Sequence, residues 1–194
     1  MELVKVKKFL LAKLKKELPR SLSYHSTEHT KDVYNSARLL ARMENIKGED
    51  LTLLLTATLF HDSGFLWQPY EHEQISCEIA MKYLPEYDYS PDQIERICGM
   101  IKATKIPQDP HNKLEELICD ADLDYLGRED FLKIGNWLYK ELCMYGILES
   151  EDEWNRLQVR FLEKHHYFTE SAKKLRQAKK DEHIALVKSK IKGD

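Results

Sequence analysis

The chain has 194 residues, 42% of them hydrophobic, enough to bury a full core and a better fit to one folded unit than to two, so disorder is excluded as the default. Thirty basic against 33 acidic side chains leave a net charge of −3, so no global field draws the molecule onto a nucleic-acid backbone, and any such contact would need a local patch. No apolar run reaches the length of a membrane span, and the start MELVKVKKFLLAKLKKEL lacks the unbroken apolar stretch and cleavage site of a secretory leader.

The first segment repeats Val4, Phe9, Leu10, Leu14 and Leu18 at helical spacing and stops at Pro19, which predicts a lid or packing helix. After a polar link, Thr27 is placed to cap a helix carrying His29, Val33, Ala37, Leu40 and Ala41 on one side. Gly48 lies in the next turn. The stretch from Glu49 to Phe60 is almost wholly apolar, so it predicts a helix buried on most sides that delivers His61 and Asp62 at its end, before Ser63 and Gly64 break it.

A fourth helix is predicted from about Glu71 to Leu84, and Ser90, Pro91, Asp92 and Gln93 supply a cap, a first-turn proline and a capping-box glutamine for a fifth that ends near Pro107. Lys113 to Leu126 carries Asp122 beside an apolar face of Leu114, Leu117, Ile118 and Leu123, with Gly127 as its stop. Helical spacing returns over Glu129 to Ile147, Glu151 to His165 and Thr169 to about Lys190. Nothing alternates with a strand's period for long, and no repeat or flexible linker divides the chain. The expectation is an all-α bundle forming one unit over residues 1–194, with its motif-bearing core at about 24–127 and a helical extension at about 128–194.

Cys77, Cys98, Cys119 and Cys143 stand singly, which argues against a thiolate zinc knuckle and for reduced, mostly buried thiols in a cytoplasmic protein. Three helices instead deliver oxygen and nitrogen donors: His29, the adjacent His61 and Asp62, and Asp122 within Cys119 to Asp124. Two imidazoles and two carboxylates are too hard for copper(I) and lack the sulfur of a structural zinc site, leaving Mn, Fe, Co, Ni, Mg or catalytic Zn. Burying that many polar groups at the ends of apolar helices is costly without a cation. A cation held this way acidifies a bound water and neutralises charge developing on a phosphoryl group.

The order H, HD, D in the pieces YHSTEHTKDV, LFHDSGF, EHEQISCEIA and CDADLDYLG resembles the HD-domain superfamily of metal-dependent phosphohydrolases over Tyr24 to Gly127. The resemblance implies a helical bundle, metal ligation by His29, His61, Asp62 and Asp122, and hydrolysis of phosphate monoesters or diesters, often of small nucleotides. Asp120 is the alternative ligand if the helix register differs. Dinuclear relatives carry histidines in the helix from Gln93 to Lys105, where this chain has Ile101, Lys102, Ala103, Thr104 and Lys105, so one divalent ion is expected. Lys105 or Lys102 then stands as a fixed charge for the phosphate.

Glu71, His72 and Glu73 follow the dyad closely and are candidates with Asp62 for the catalytic set, a glutamate as base and His72 as the donor to a leaving oxygen. His25, one turn before His29, is a candidate substrate contact. His165 and His166 read as packing and capping residues at a helix break, Lys173 to Lys180 as a wet face, and Tyr125, Trp137 and Tyr145 as core. Partners expected are a small phosphorylated substrate and a second copy of the chain, with neither a membrane nor a nucleic acid. Two rival functions remain: a di-iron oxygenase, and a nucleotide-sensing module whose helical tail signals to a partner.

Overall fold

The computed structural model describes residues 1–191, so the last three residues of the predicted extension lie outside the described residues. Among the described residues the protein is all-α, with no strand and with nine α-helices: α1 (Leu3–Glu17), α2 (Thr27–Met43), α3 (Gly48–Phe60), α4 (His72–Tyr83), α5 (Pro91–Ala103), α6 (Lys113–Asp122), α7 (Phe131–Met144), α8 (Glu151–Lys164) and α9 (Glu170–Lys188). None of them is long and apolar enough to cross a membrane.

The apolar α3 is the axis of the bundle. Leu53 through Phe60 are all buried, and α1, α2, α4, α5 and α6 pack around them. Its fully buried leucines each stabilise the fold by about 1.5–3 kcal/mol relative to exposure. The predicted face of α1 is corrected at one position: Val6, Leu10 and Leu14 point inward, while Val4 is 83% exposed. At 100° per residue Val4 stands about 200° round the helix from Val6, so one packed face cannot hold both. The cap of α2 is Ser26, whose side chain accepts from the amide of His29, one residue earlier than Thr27. At Ser90 the full capping box forms with Gln93, with Pro91 in the first turn. The helix expected over Lys113 to Leu126 ends at Asp122, and Asp124–Gly127 tightens into a 3-10 turn.

Two apolar cores meet at that turn. One fills the bundle of α1 to α6, and the other joins Tyr24, Leu123, Tyr125 and Leu126 to Phe131, Ile134, Val159, Leu162 and Val187. Gly127 permits the contact, because a Cβ there would come within 2.4 Å of the Arg176 carbonyl oxygen on α9. Buried carboxylates fasten the two halves. Asp120 accepts from the amides of Phe168 and Thr169 at 2.8 Å each and from the Thr169 hydroxyl at 2.7 Å. Asp124 accepts from Arg176 Nε at 2.6 Å, Arg128 at 3.3 Å and the Ser36 hydroxyl at 3.1 Å. All four cysteines are free thiols, with Cys77, Cys98 and Cys119 buried and Cys143 half-buried.

Asp120→Ala strips three donors of their acceptor in a dry site, and is expected to lower unfolding stability by about 3 kcal/mol. A urea melt followed by helical circular dichroism measures this, and an unchanged midpoint would contradict the fastening role.

Candidate metal centre

Three helix ends converge on one point. The first turn of α2 brings His29, the residues just past α3 bring His61 and Asp62, and the last residue of α6 brings Asp122. His61 is fully buried. Its Nδ1 lies 2.9 Å from the Thr58 carbonyl oxygen, which can only accept, so Nδ1 carries a proton and Nε2 is the nitrogen left for a metal. That Nε2 stands 3.3 Å from Nε2 of His29. Asp62 Oδ2 is 3.2 Å from both of these nitrogens, and Asp122 Oδ1 is 3.1 Å from His29 and 3.4 Å from His61. One atom each of His29, His61 and Asp122 lie within 4.8 Å of one another, a span a single ion can bridge. Asp62 Oδ2 is buried and accepts no hydrogen bond, an orphaned anionic oxygen aimed at the same point.

The electrostatics agree with that fit. Burial opposes the imidazolium of His29, yet the Asp122 and Asp62 carboxylates outweigh it and lift the ring to about 9. His61 is likewise held well above its ordinary value, against burial, chiefly by Asp62. Burial would raise Asp122, but His29 and His61 bring it down to about 2. Two carboxylates in a dry pocket demand two positive charges, which either two imidazole protons or one divalent cation can supply.

Backbone contacts hold the dyad in place. The Ser76 hydroxyl donates to the His61 carbonyl at 2.8 Å and accepts from the Gly64 amide at 2.8 Å. Gly64 lies so close to α4 that a Cβ would come within 2.0 Å of the His72 carbonyl oxygen. That approach sets His72 beside the ligands: its Nδ1 faces the Pro69 carbonyl at 3.1 Å, and its Nε2 is 3.4 Å from both Asp62 Oδ1 and Glu73 Oε1.

A cavity of about 230 Å³ opens from Asp62 and Asp122 and takes His25, His72 and Glu73 into its wall. The structure places three other sequence candidates outside it. Glu71 is exposed, with left-handed backbone at φ 51° ahead of α4, and its side chain caps nothing. Lys102 and Lys105 are also exposed and do not line the cavity: Ile97, Met100, Ile101 and Ala103 occupy the packed side of α5, and past its end Thr104 and Ile106 enter the wall while Lys105 between them does not. The alternative ligand Asp120 spends its oxygens on Phe168 and Thr169, leaving Asp122 as the carboxylate that faces the imidazoles.

Sequence reasoning missed Glu141 on α7. It is 2% exposed, pairs with Nδ1 of His25 and accepts from the amides of Tyr24 at 2.8 Å and His25 at 3.2 Å. Phe65 stacks on the other side of the His25 ring at 3.9 Å. The only advance signal was an acidic residue at a buried position of an amphipathic helix, and it names no partner. Also missed were the cavity's far walls, Trp154, Gln158 and Phe161 on α8 and Phe131 and Leu138 on α7.

A profile of the family described as HD domain matches residues 27–127. Two solved structures are similar along nearly the whole chain, each at 17% identity. One, from an uncultured Thermotogales bacterium and described as a predicted HD superfamily hydrolase, has a TM-score of 0.64 and is matched over 96% of this chain and 89% of its own. The other, from Lactobacillus plantarum, has a TM-score of 0.70 over 97% and 96%. At that identity both speak for the fold alone. No curated protein matches the chain.

His61→Ala or Asp62→Ala is expected to reduce bound metal in purified protein from about one equivalent to near zero, with helical content kept, as elemental analysis and circular dichroism would record. Because the metal-free His29 holds its proton up to about 9, a cation must displace that proton at lower pH. Apparent metal affinity, read by chelator competition, is therefore expected to fall about tenfold per pH unit below that value, and about a hundredfold per unit where His61 too holds its proton. A flat profile through neutrality would contradict it.

Proposed function

The chain belongs to the HD-domain family, and on that premise we propose that it is a metal-dependent phosphohydrolase cleaving a phosphate monoester or diester of a small nucleotide. The observation carrying this reading is the pair of facing Nε2 atoms, 3.3 Å apart, with the orphaned Asp62 oxygen beside them, set at one end of a cavity. His29, His61, Asp62 and Asp122 would hold one divalent ion. When bound, the ion supplies an acidified water as nucleophile and neutralises charge gathering on the phosphoryl oxygens.

The surrounding side chains divide the proton work. His72 and Glu73 sit on the Oδ1 side of Asp62, where they orient an attacking water and receive its proton. His25 is better suited than His72 to protonate the leaving oxygen. Glu141 holds its Nδ1 and so directs Nε2 away from the brace, and Phe65 fixes the ring plane in the cavity wall. This shifts the donor role from the residue that sequence order favoured.

The far walls support the nucleotide. Trp154 and Phe161 offer flat faces, and the Gln158 carboxamide both donates and accepts, as a base edge requires. Among the described residues lining this cavity none is Lys or Arg, which suits a phosphoester of low charge better than a triphosphate.

A panel of phosphoesters, with Mn, Mg, Co, Ni, Fe or Zn restored to metal-stripped protein, tests the reading. Metal-dependent release of phosphate or of an alcohol is expected. His25→Ala should lower kcat by about 10²–10⁴ for esters with poor leaving groups and far less for p-nitrophenyl esters, which depart without a proton. Metal bound with no turnover across the panel would sink the hydrolase and leave a nucleotide sensor; two irons with oxygen uptake would indicate the oxygenase.

A further inference from the structure

Beside the metal cavity lies a second, of about 170 Å³, and the two share Ile106, Leu123 and Phe161 as walls. They differ in sign. Asp62, Glu73 and Asp122 line the first, whereas the second has Lys164, His165 and His166 and, among the described residues, no carboxylate. In a chain with more acidic than basic side chains, a pocket with Lys164, two histidines and Gln108 in its wall and no carboxylate among the described residues favours negative charge.

His165 gives the pocket a specific donor. The Lys180 ammonium, on the buried side of α9 and 3% exposed, donates to the His165 carbonyl oxygen and stands 3.4 Å from the ring's Nδ1. An ammonium has no lone pair, so Nδ1 must accept and the ring's proton resides on Nε2. That Nε2 is buried and has no hydrogen-bond partner. Burial, with the Lys180 and His166 charges, pushes the ring down to about 3, which keeps it neutral with one N–H to offer. Phe161 lies alongside the ring at 6.2 Å and Tyr167 meets it edge-on at 4.7 Å, so the donor's direction is set. A buried N–H without an acceptor gains from any oxygen that reaches it, and the atoms covering it must give way to admit one.

We propose that this second cavity binds an anionic oxygen-bearing group, a phosphate or carboxylate, with Nε2–H of His165 as its donor and Lys164 as its countercharge. The group is carried by the substrate, its reacting phosphoryl lying in the adjoining metal cavity, or by a separate small anion. Only the first of these sources rests on the phosphohydrolase reading.

The test is calorimetric titration of inorganic phosphate into the metal-loaded full chain and into His165→Leu and Lys164→Glu. Wild type is expected to bind one more phosphate than His165→Leu, and Lys164→Glu to weaken that extra site at least about fivefold. Equal stoichiometry in wild type and His165→Leu would overturn the proposal. Should His165→Leu misfold, an unweakened extra site in Lys164→Glu overturns it alone. The source follows from KM ratios: a rise in His165→Leu for a substrate with a second phosphate, relative to p-nitrophenyl phosphate, assigns the site to the substrate. Unchanged ratios assign it to a separate anion. A chain that binds no metal yet still loses one phosphate in His165→Leu would keep this subsite and sink the hydrolase instead.

Discussion

Two carboxylates and two imidazoles meeting in a largely buried pocket impose a charge requirement that organises the rest of the molecule. Asp62 and Asp122 cannot both stay ionised there without two compensating charges, and the raised rings of His29 and His61 show how strong the demand is. A divalent cation meets it with one particle. The scaffold's task is then to hold four donors from three helices on one point, and the buried α3 does so by fixing its own end relative to α2 and α6 through the core.

The extension from α7 to α9 is part of the site. Asp120 and Asp124 fasten it to the end of the ligand-bearing α6, Glu141 braces His25, and α8 supplies the far walls of the metal cavity. The result is an acidic pocket and a basic pocket separated by three shared side chains. An assembly of this kind suits a ligand that carries a cation-seeking phosphoryl at one end and oxygen acceptors elsewhere.

Much of this was legible in the chain. The all-α class followed from helical spacing and the missing strand period, the apolar run from Leu51 to Phe60 marked the central helix, and Ser90 with Gln93 announced the capping box of α5. The order H, HD, D named the four donors that the structure brings together. Local signals were less exact where two nearby residues could serve one purpose: Ser26 rather than Thr27 caps α2, and Val6 rather than Val4 enters the core. Lys102 on α5 and Lys105 just past it were chosen for their charge. Which side of the helix faces the cavity is decided by packing, and that side went to Ile97, Met100 and Ile101.

The sequence by itself determined the helices, the central apolar element and the four candidate metal donors, because each is encoded by periodicity or by residue types within a few positions. Only the tertiary structure decided that Asp120 is a fastener and Asp122 faces the imidazoles, that Glu141 stands behind His25, and that Lys180 sets the tautomer of His165. The last two pairs are separated by 116 and 15 residues. No local pattern records such a pairing, since a buried polar side chain finds its partner by the packing of helices and not by its place along the chain.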